Sequence, residues 1–332
     1  MENKKKQTTE NYIKEILRKT RRTFSSEQKI TIGPEPDDKH KNKIYAEGFP
    51  AWANTLKYDI QWICDMDMDN YVTFSKSKIL IIIGHNEYWT REARLNFDRF
   101  VEEGKNALVL SGNTMWWKVR YTADKTGMIC YKDKKLDPIM NPLLKTINWS
   151  DTSLHFPIIN SIGADWIHGG YGDQGCAGVD AMYRVYIPNS PLLEGTNKNR
   201  DDGLRCKTRE FDGIPALDYK INGCPVPDTN LLKFCMIEII AADGAKNLYN
   251  KRGNGSLFLF KKTPYSGIII NASSTEWCSG HDGINGVDSL IFRKITINAI
   301  HKLLKKENVF STDIPPQFDL KPKDKARRRK RT

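Results

Sequence analysis

The sequence predicts an α/β protein with a mainly parallel sheet flanked by helices. Two apolar runs, residues 79–83 and 107–110, have the composition of strands that are buried on both faces. A segment of about one helix length separates them, and such a strand–helix–strand unit of about thirty residues is typical of a right-handed parallel crossover. The chain has 332 residues, 39% of them hydrophobic, which is enough for a large core.

The segment between the two strands has the signals of a helix at both ends. Thr90 is a suitable N-cap, and Glu92 follows in the first turn, where the helix dipole favours an acid. Gly104 is placed to end the helix in the left-handed conformation. Apolar residues between these ends form one buried stripe, so we expect a helix that covers one face of the sheet.

The remaining elements follow from shorter patterns. Residues 49–56 have helical spacing, residues 58–64 alternate like a strand, and residues 31–43 are predicted to form a loop. Late in the chain the pattern predicts regular structure at 232–241, strands at 256–260 and 265–271, and an amphipathic helix at 290–304.

These patterns suggest three parts. Residues 1–40 form a basic, partly disordered segment, residues 41–310 form the α/β domain, and residues 311–332 form a polybasic disordered tail. Within the domain, residues 115–230 are rich in glycine, proline and asparagine and are predicted to be a loop-rich insertion, with short antiparallel strands around 181–187.

The net charge of +12 is concentrated at the ends of the chain. The tail at 321–332 has eight basic residues and one acid, and such blocks are usually solvated, so we expect at most non-specific polyanion contact there. The chain has no nucleic-acid reading motif and no run of about 20 apolar residues that could span a membrane. Seven scattered cysteines without a CxxC pair favour reduced thiols, and we expect a cytoplasmic protein.

The strongest candidate site follows the first apolar strand, where Gly84 is succeeded by His85, Asn86, Glu87 and Tyr88. In open α/β sheets, ligands bind beyond the carboxyl ends of the strands. His85 or Glu87 could act as a general base, and His85, Glu87 or Tyr88 could bind a metal or clamp a substrate. The same residues could instead cap the next helix, and the pattern alone leaves both readings open.

Two further polar segments follow predicted strands. Ser111, Gly112 and Asn113 stand where many α/β hydrolases carry a nucleophile, but asparagine is not one, so covalent serine or cysteine catalysis is disfavoured. Glu276 and His281 follow the last apolar strand, again at a strand end.

Three motifs together resemble a known family. The segments GHNEYW (84–89), SGNTMWW (111–117) and ASSTEW (272–277) are similar in order and spacing to motifs of the N,N-dimethylformamidase large (beta) subunit-like C-terminal domain. The resemblance covers roughly residues 40–305. It implies a class I glutamine-amidotransferase-like, flavodoxin-type fold without the cysteine nucleophile.

The resemblance also implies hydrolysis of an amide or related C–N bond of a small molecule, with one iron held by two tyrosines and a glutamate. The tyrosines map to Tyr88 and Tyr45, with Glu276 as the third ligand in the metal set. His85 and Glu87 would then serve as base or would support the ligands, and Asn113 would orient the substrate or the water.

One departure from the family pattern favours a second hypothesis. Lys220 stands where relatives carry a carboxylate, so Glu87, Glu210 and Glu276 are the available substitutes as third ligand. The rival hypothesis is a catalytically altered relative that serves as a binding or structural module, with the basic tail contacting polyanions. As partners we expect a small-molecule substrate, and a second copy of the chain or a small partner subunit.

Overall fold

The computed structural model describes residues 29–33, 46, 48–172, 182–246, 251–279 and 288–311. Tyr45, His281 and the tail at 321–332 lie outside the described residues, so the predictions made for them stay predictions.

The helices and strands are numbered in chain order. The helices are α1 (Gly48–Ala53), α2 (Tyr71–Phe74), α3 (Arg91–Glu102), α4 (Ile159–Ile162) and α5 (Ser289–Lys305). The strands of the first third of the chain are β1 (Lys29–Gly33), β2 (Asp59–Trp62), β3 (Ile79–Gly84), β4 (Tyr88–Trp89) and β5 (Asn106–Ser111). The insertion adds β6 (Trp117–Lys118), β7 (Arg120–Tyr121), β8 (Met128–Ile129), β9 (Asp165–Tyr171), β10 (Met182–Val185), β11 (Gly203–Arg205), β12 (Glu210–Gly213), β13 (Ala216–Ile221) and β14 (Cys224–Pro227). The last strands are β15 (Met236–Lys246), β16 (Arg252–Lys261) and β17 (Ile268–Asn271).

The main sheet is mixed, and most of its strand pairs are antiparallel. Nine strands follow the order β11-β10-β15-β16-β17-β5-β3-β1-β2, and β9 and β12 join beside this path. Only β2, β1, β3, β5 and β17 run parallel to one another. The prediction of a mainly parallel sheet was therefore wrong for the antiparallel half. Its strands β15 and β16 are also buried in their centres, and burial on both faces does not reveal strand direction.

Alternating side chains of the central strands enter two separate cores. Ile79, Ile81 and Ile83 pack in the core that contains residues of α1 and α5. Leu80 and Ile82 pack in the opposite core, which contains residues of α3. This two-residue period is what a strand covered on both faces requires, and it confirms that helices flank the sheet.

The predicted helix after β3 is confirmed in detail. The Thr90 hydroxyl accepts a hydrogen bond from the Ala93 amide at 3.0 Å, and Gly104 lies just beyond the end with a φ of +83°. The predicted loop at 31–43 was wrong at its start, because residues 31–33 belong to β1, which pairs with both β2 and β3. A strand of five residues before a proline gives little local signal, and its place is fixed by its neighbours in the sheet.

No helix in the described part of the chain is long and apolar enough to cross a membrane.

Candidate functional site

The candidate site lies where the loops after β3 and β5 meet the start of β12. β3 and β5 are parallel and end together, with Gly84 paired to Ser111. The loop backbones continue this contact, since the amides of Met115 and Trp117 donate to the carbonyls of Asn86 and Glu87, each at 2.9 Å. The polar residues that follow two different strands are thereby brought to one edge of the sheet.

Three side chains form the centre of the site. The His85 imidazole Nε2 lies 2.9 Å from Glu210 Oε2. The Asn113 amide nitrogen donates to the same Glu210 oxygen at 3.2 Å and lies 3.3 Å from His85 Nε2. The His85 and Glu210 side chains are each 15% exposed, so the pair is largely shielded but still reaches solvent. We call this set the His85 cluster.

The contacts favour one tautomer of His85. A short distance to a carboxylate is best explained if Nε2 carries the proton and donates it to Glu210, which leaves the lone pair of a neutral ring on Nδ1. An imidazole held in this way by a carboxylate is a suitable general base, because the carboxylate stabilises the imidazolium that forms.

Glu87 and Tyr171 flank the His85 cluster. Glu87 lies 3.9 Å from His85 Nε2, and burial raises the pKa of its carboxyl group, while the nearby His85 opposes the rise. Tyr171 is paired with Glu210 across β9 and β12, and its ring packs edge-on against Trp166 at 5.3 Å. Aromatic side chains therefore form one wall beside the polar centre.

The backbone around Asn113 is tightly constrained. A side chain at Gly112 would place its Cβ 2.5 Å from the Glu210 carbonyl oxygen and 2.6 Å from the Thr275 amide nitrogen, so only glycine permits the three segments to come this close. Asn113 and Met115 have φ values of +50° and +58°, and residues in the left-handed region are concentrated at functional sites.

Asp212 is hydrogen-bonded to the loop that contains Asn113. Its buried carboxyl group accepts a hydrogen bond from the Thr114 amide at 3.0 Å. Burial raises its pKa to about 8, although the Thr114 contacts oppose the rise, so the group is largely protonated at neutral pH. The site therefore contains a neutral buried acid close to Glu210.

Two of the predicted metal ligands, Tyr88 and Glu276, have hydrogen-bond partners in the described residues. The Tyr88 oxygen accepts a hydrogen bond from the Lys132 ammonium at 2.9 Å. The Glu276 carboxylate accepts one from the Arg209 amide at 2.7 Å and another from the Thr275 hydroxyl. Within the described ranges, no group of three or more His, Cys, Asp or Glu side chains is arranged to hold a metal ion.

Comparison with known protein families identifies the family of this chain. The model of the N,N-dimethylformamidase beta subunit-like, C-terminal domain matches residues 15–289. The chain belongs to this family. No curated protein sequence matches the chain.

Two solved structures resemble this N,N-dimethylformamidase beta subunit-like chain. One is a ThuA-like protein from Bacteroides uniformis ATCC 8492, with 10% sequence identity, a TM-score of 0.45, and coverage of 85% of this chain and 94% of the other. The second is a ThuA-like protein from Parabacteroides merdae ATCC 43184, with 10% identity, a TM-score of 0.37, and coverage of 87% and 95%.

Within this N,N-dimethylformamidase-like domain, the sequence located some of the site and missed the rest. His85, Glu87 and Asn113 were predicted as catalytic residues, and they lie together. Glu210 was expected only as a substitute metal ligand, whereas the structure places it against His85. It is a single acid in the irregular insertion, and no local pattern marks it. The same holds for Asp212.

Proposed function

We propose that this chain hydrolyses an amide or related C–N bond of a small molecule, with His85 as the general base. One observation carries the proposal, namely the His85–Glu210 contact of 2.9 Å at the carboxyl ends of parallel strands, with Asn113 bonded to the same carboxylate. The family to which the chain belongs supports the choice of C–N bond chemistry.

In the proposed mechanism, Nδ1 of His85 takes a proton from a water molecule as the water oxygen attacks the carbonyl carbon. Glu210 stabilises the imidazolium, and Asn113 keeps the Glu210 carboxylate in place. The imidazolium then returns the proton to the amide nitrogen, the C–N bond breaks, and the amine leaves. Such proton transfer by a positioned base contributes about 10² to 10⁴ in rate.

The contacts of Tyr88 and Glu276 argue against the iron centre that the family resemblance implies. Lys132 donates to the Tyr88 oxygen and its ammonium also lies 5.1 Å from the ring centre, so a metal cation on that oxygen would face a second cation. Glu276 uses its carboxylate to hold the Arg209 amide. Tyr45 lies outside the described residues. Iron therefore stays a prediction, and the mechanism above has no step that depends on it.

The finer fold assignment is also a proposal. The five parallel strands lie in the spatial order β2-β1-β3-β5-β17. Numbered among themselves along the chain, this is the order 2-1-3-4-5 of flavodoxin-type sheets, whose ligand sites lie at strand ends. We propose that this half of the sheet is the flavodoxin-type, glutamine-amidotransferase-like core, and that the antiparallel half is an addition inserted between β5 and β17.

The binding-module hypothesis predicts a different outcome for the same protein. The purified chain should be assayed with N,N-dimethylformamide, formamide and N-methylacetamide for release of amine or ammonia, with metal content and the visible spectrum recorded on the same sample. Amine release supports the proposal. A chain that hydrolyses none of these amides would support the binding module, and stoichiometric iron with a visible absorption band would restore the metal site.

A further inference from the structure

A second candidate site lies away from the His85 cluster, on the antiparallel half of the sheet. A cavity of about 1080 Å³, partly open to solvent, lies between β9, β10, β15 and β16 on one side and the β13–β14 hairpin on the other. Small-molecule sites have volumes of this order, and the residues of the His85 cluster do not line this cavity.

The floor of the cavity follows from the strand register. Residues directly opposite each other in antiparallel strands share a face, and the pairs Arg184–Ala242, Gly244–Asn254 and Lys246–Arg252 all line the cavity. Gly244 lies in the middle of this floor, and a Cβ added there would meet no atom within 4 Å. Gly244 is exposed, so the space above this part of the floor is open.

Positive charge is concentrated around this floor. Lys246 and Arg252 are directly opposite in the register, so two cationic side chains lie side by side on this floor. Lys220 on the β13–β14 hairpin and Lys251 beside Arg252 add further cations to the lining.

Three acidic residues and five lysines or arginines line the cavity. Asp243 accepts hydrogen bonds from the amides of Met182 at 3.0 Å and Gly244 at 2.7 Å, so it is engaged by the backbone. Asp201 lies 3.8 Å from Arg184 at an exposed position. Asp218 is the third acid of the lining.

One further side chain can donate to a ligand. His168 lines the cavity, and its Nδ1 lies 2.7 Å from the buried Asp165 carboxylate. Burial lowers the pKa of His168, but the Asp165 contact outweighs this and the net shift is upward. The ring is thereby biased toward its cationic, doubly donating form.

We propose that this cavity binds a small organic molecule that carries two or more negative charges, either phosphate or carboxylate groups. The apolar side chains Ile167, Ile214 and Pro225 in the same lining would contact the body of the molecule, while the lysines and arginines bind its anionic groups. This site is separate from the proposed hydrolytic site, and neither proposal depends on the other.

Isothermal titration of the full chain with pyrophosphate and with citrate tests the proposal and distinguishes the two anion classes. We expect saturable 1:1 binding of at least one of them. The double variant Lys220→Glu, Arg252→Glu should bind about tenfold or more weakly, while Lys233→Glu, an exposed lysine outside the cavity, should bind within about twofold of the wild type.

A second pair of variants changes the space and not the charge. Gly244→Trp should occupy the open space above the cavity floor and weaken binding about tenfold, whereas Gly244→Ala should leave affinity within about threefold. The circular dichroism spectrum and melting temperature would check that each variant folds. The proposal is overturned if neither anion binds with 1:1 stoichiometry, or if the cavity variants bind as tightly as the wild type. It is also overturned if Lys233→Glu loses as much affinity as the double variant, since binding would then follow overall charge.

Discussion

His85 Nε2 lies 2.9 Å from Glu210 Oε2, although the two residues come from opposite halves of the fold. His85 follows the parallel strand β3, and Glu210 begins β12 in the insertion. The contact joins the two parts of the sheet at the one edge where β3 and β5 end. Glu210 can therefore stabilise a protonated His85 ring at a position that solvent reaches.

The Glu210 charge should matter more than its hydrogen bond. Glu210→Gln retains an oxygen that can accept from His85 but removes the negative charge that stabilises the imidazolium, so we expect amide hydrolysis to fall about 10²-fold. The rate of amine release at saturating substrate measures this. Glu102→Gln, an exposed acid at the end of α3, is the matched control and should keep full activity. A fully active Glu210→Gln variant would exclude Glu210 from the mechanism.

Asn113 combines a backbone role with a side-chain role, and two substitutions separate them. Its φ of +50° disfavours Asn113→Ala, which should lower the free energy of unfolding by about 1 kcal/mol more than Asn113→Gly does. Both variants lose the hydrogen bond to Glu210, so both should lose activity to a similar extent. Urea unfolding and amine release measure the two effects. Equal stabilities of the two variants would contradict the backbone argument.

Arg94 should be the most sensitive cation of α3. It is completely buried, donates to the Phe156 and Pro157 carbonyls and the Ser161 hydroxyl, and so fastens the insertion to the helix. Arg94→Met leaves these acceptors without their donor, and we expect the free energy of unfolding to fall by about 3–5 kcal/mol.

Urea unfolding measures the effect of Arg94→Met, and the matched control is Arg91→Met, an exposed arginine of the same helix that should change stability by less than about 0.5 kcal/mol. A loss below about 1 kcal/mol in Arg94→Met would mean that the insertion is held by other contacts.

Glu238 should make stability depend on pH. Burial raises its pKa from 4.5 to about 7, although its oxygen accepts from the Ser311 amide at 2.8 Å. The folded protein therefore holds this proton more tightly than the unfolded chain. The contribution is fully present below about pH 4.5 and is lost as the pH rises through about 7.

Glu238→Gln keeps the hydrogen bond to Ser311 and cannot ionise. Relative to this variant, the wild type should lose about 2–3 kcal/mol of stability between pH 4.5 and pH 8, which urea unfolding at several pH values would measure. Glu102→Gln, a change at an exposed position that leaves Glu238 in place, is the matched control and should keep the pH profile of the wild type. A pH profile of the wild type parallel to that of Glu238→Gln would show that the carboxyl group is not perturbed.

The sequence predicted the elements whose signals are local. The apolar runs of β3 and β5, the Thr90 cap and the Gly104 end of α3 lie within a few residues of the structure they specify. The short strand β1 and the antiparallel direction of β15 and β16 depend on partners far along the chain, and a single sequence does not encode those partners locally.

The residues of the candidate site also divide into those with a local sequence signal and those without one. His85, Glu87 and Asn113 follow strands, so their position at a strand end could be predicted. Glu210 meets them only because Gly112 allows three backbone segments to pack closely, and this contact has no signature in the residues around Glu210.

The most direct test of the account is the rate of amine release from a small amide by the wild type and by His85→Gln. Glutamine retains a polar side chain at this position but cannot take a proton from water. We predict turnover by the wild type and a loss of about 10² to 10⁴ in His85→Gln, with an unchanged melting temperature. Equal rates in the two proteins, or no turnover by the wild type, would contradict His85 as the base of a hydrolytic site.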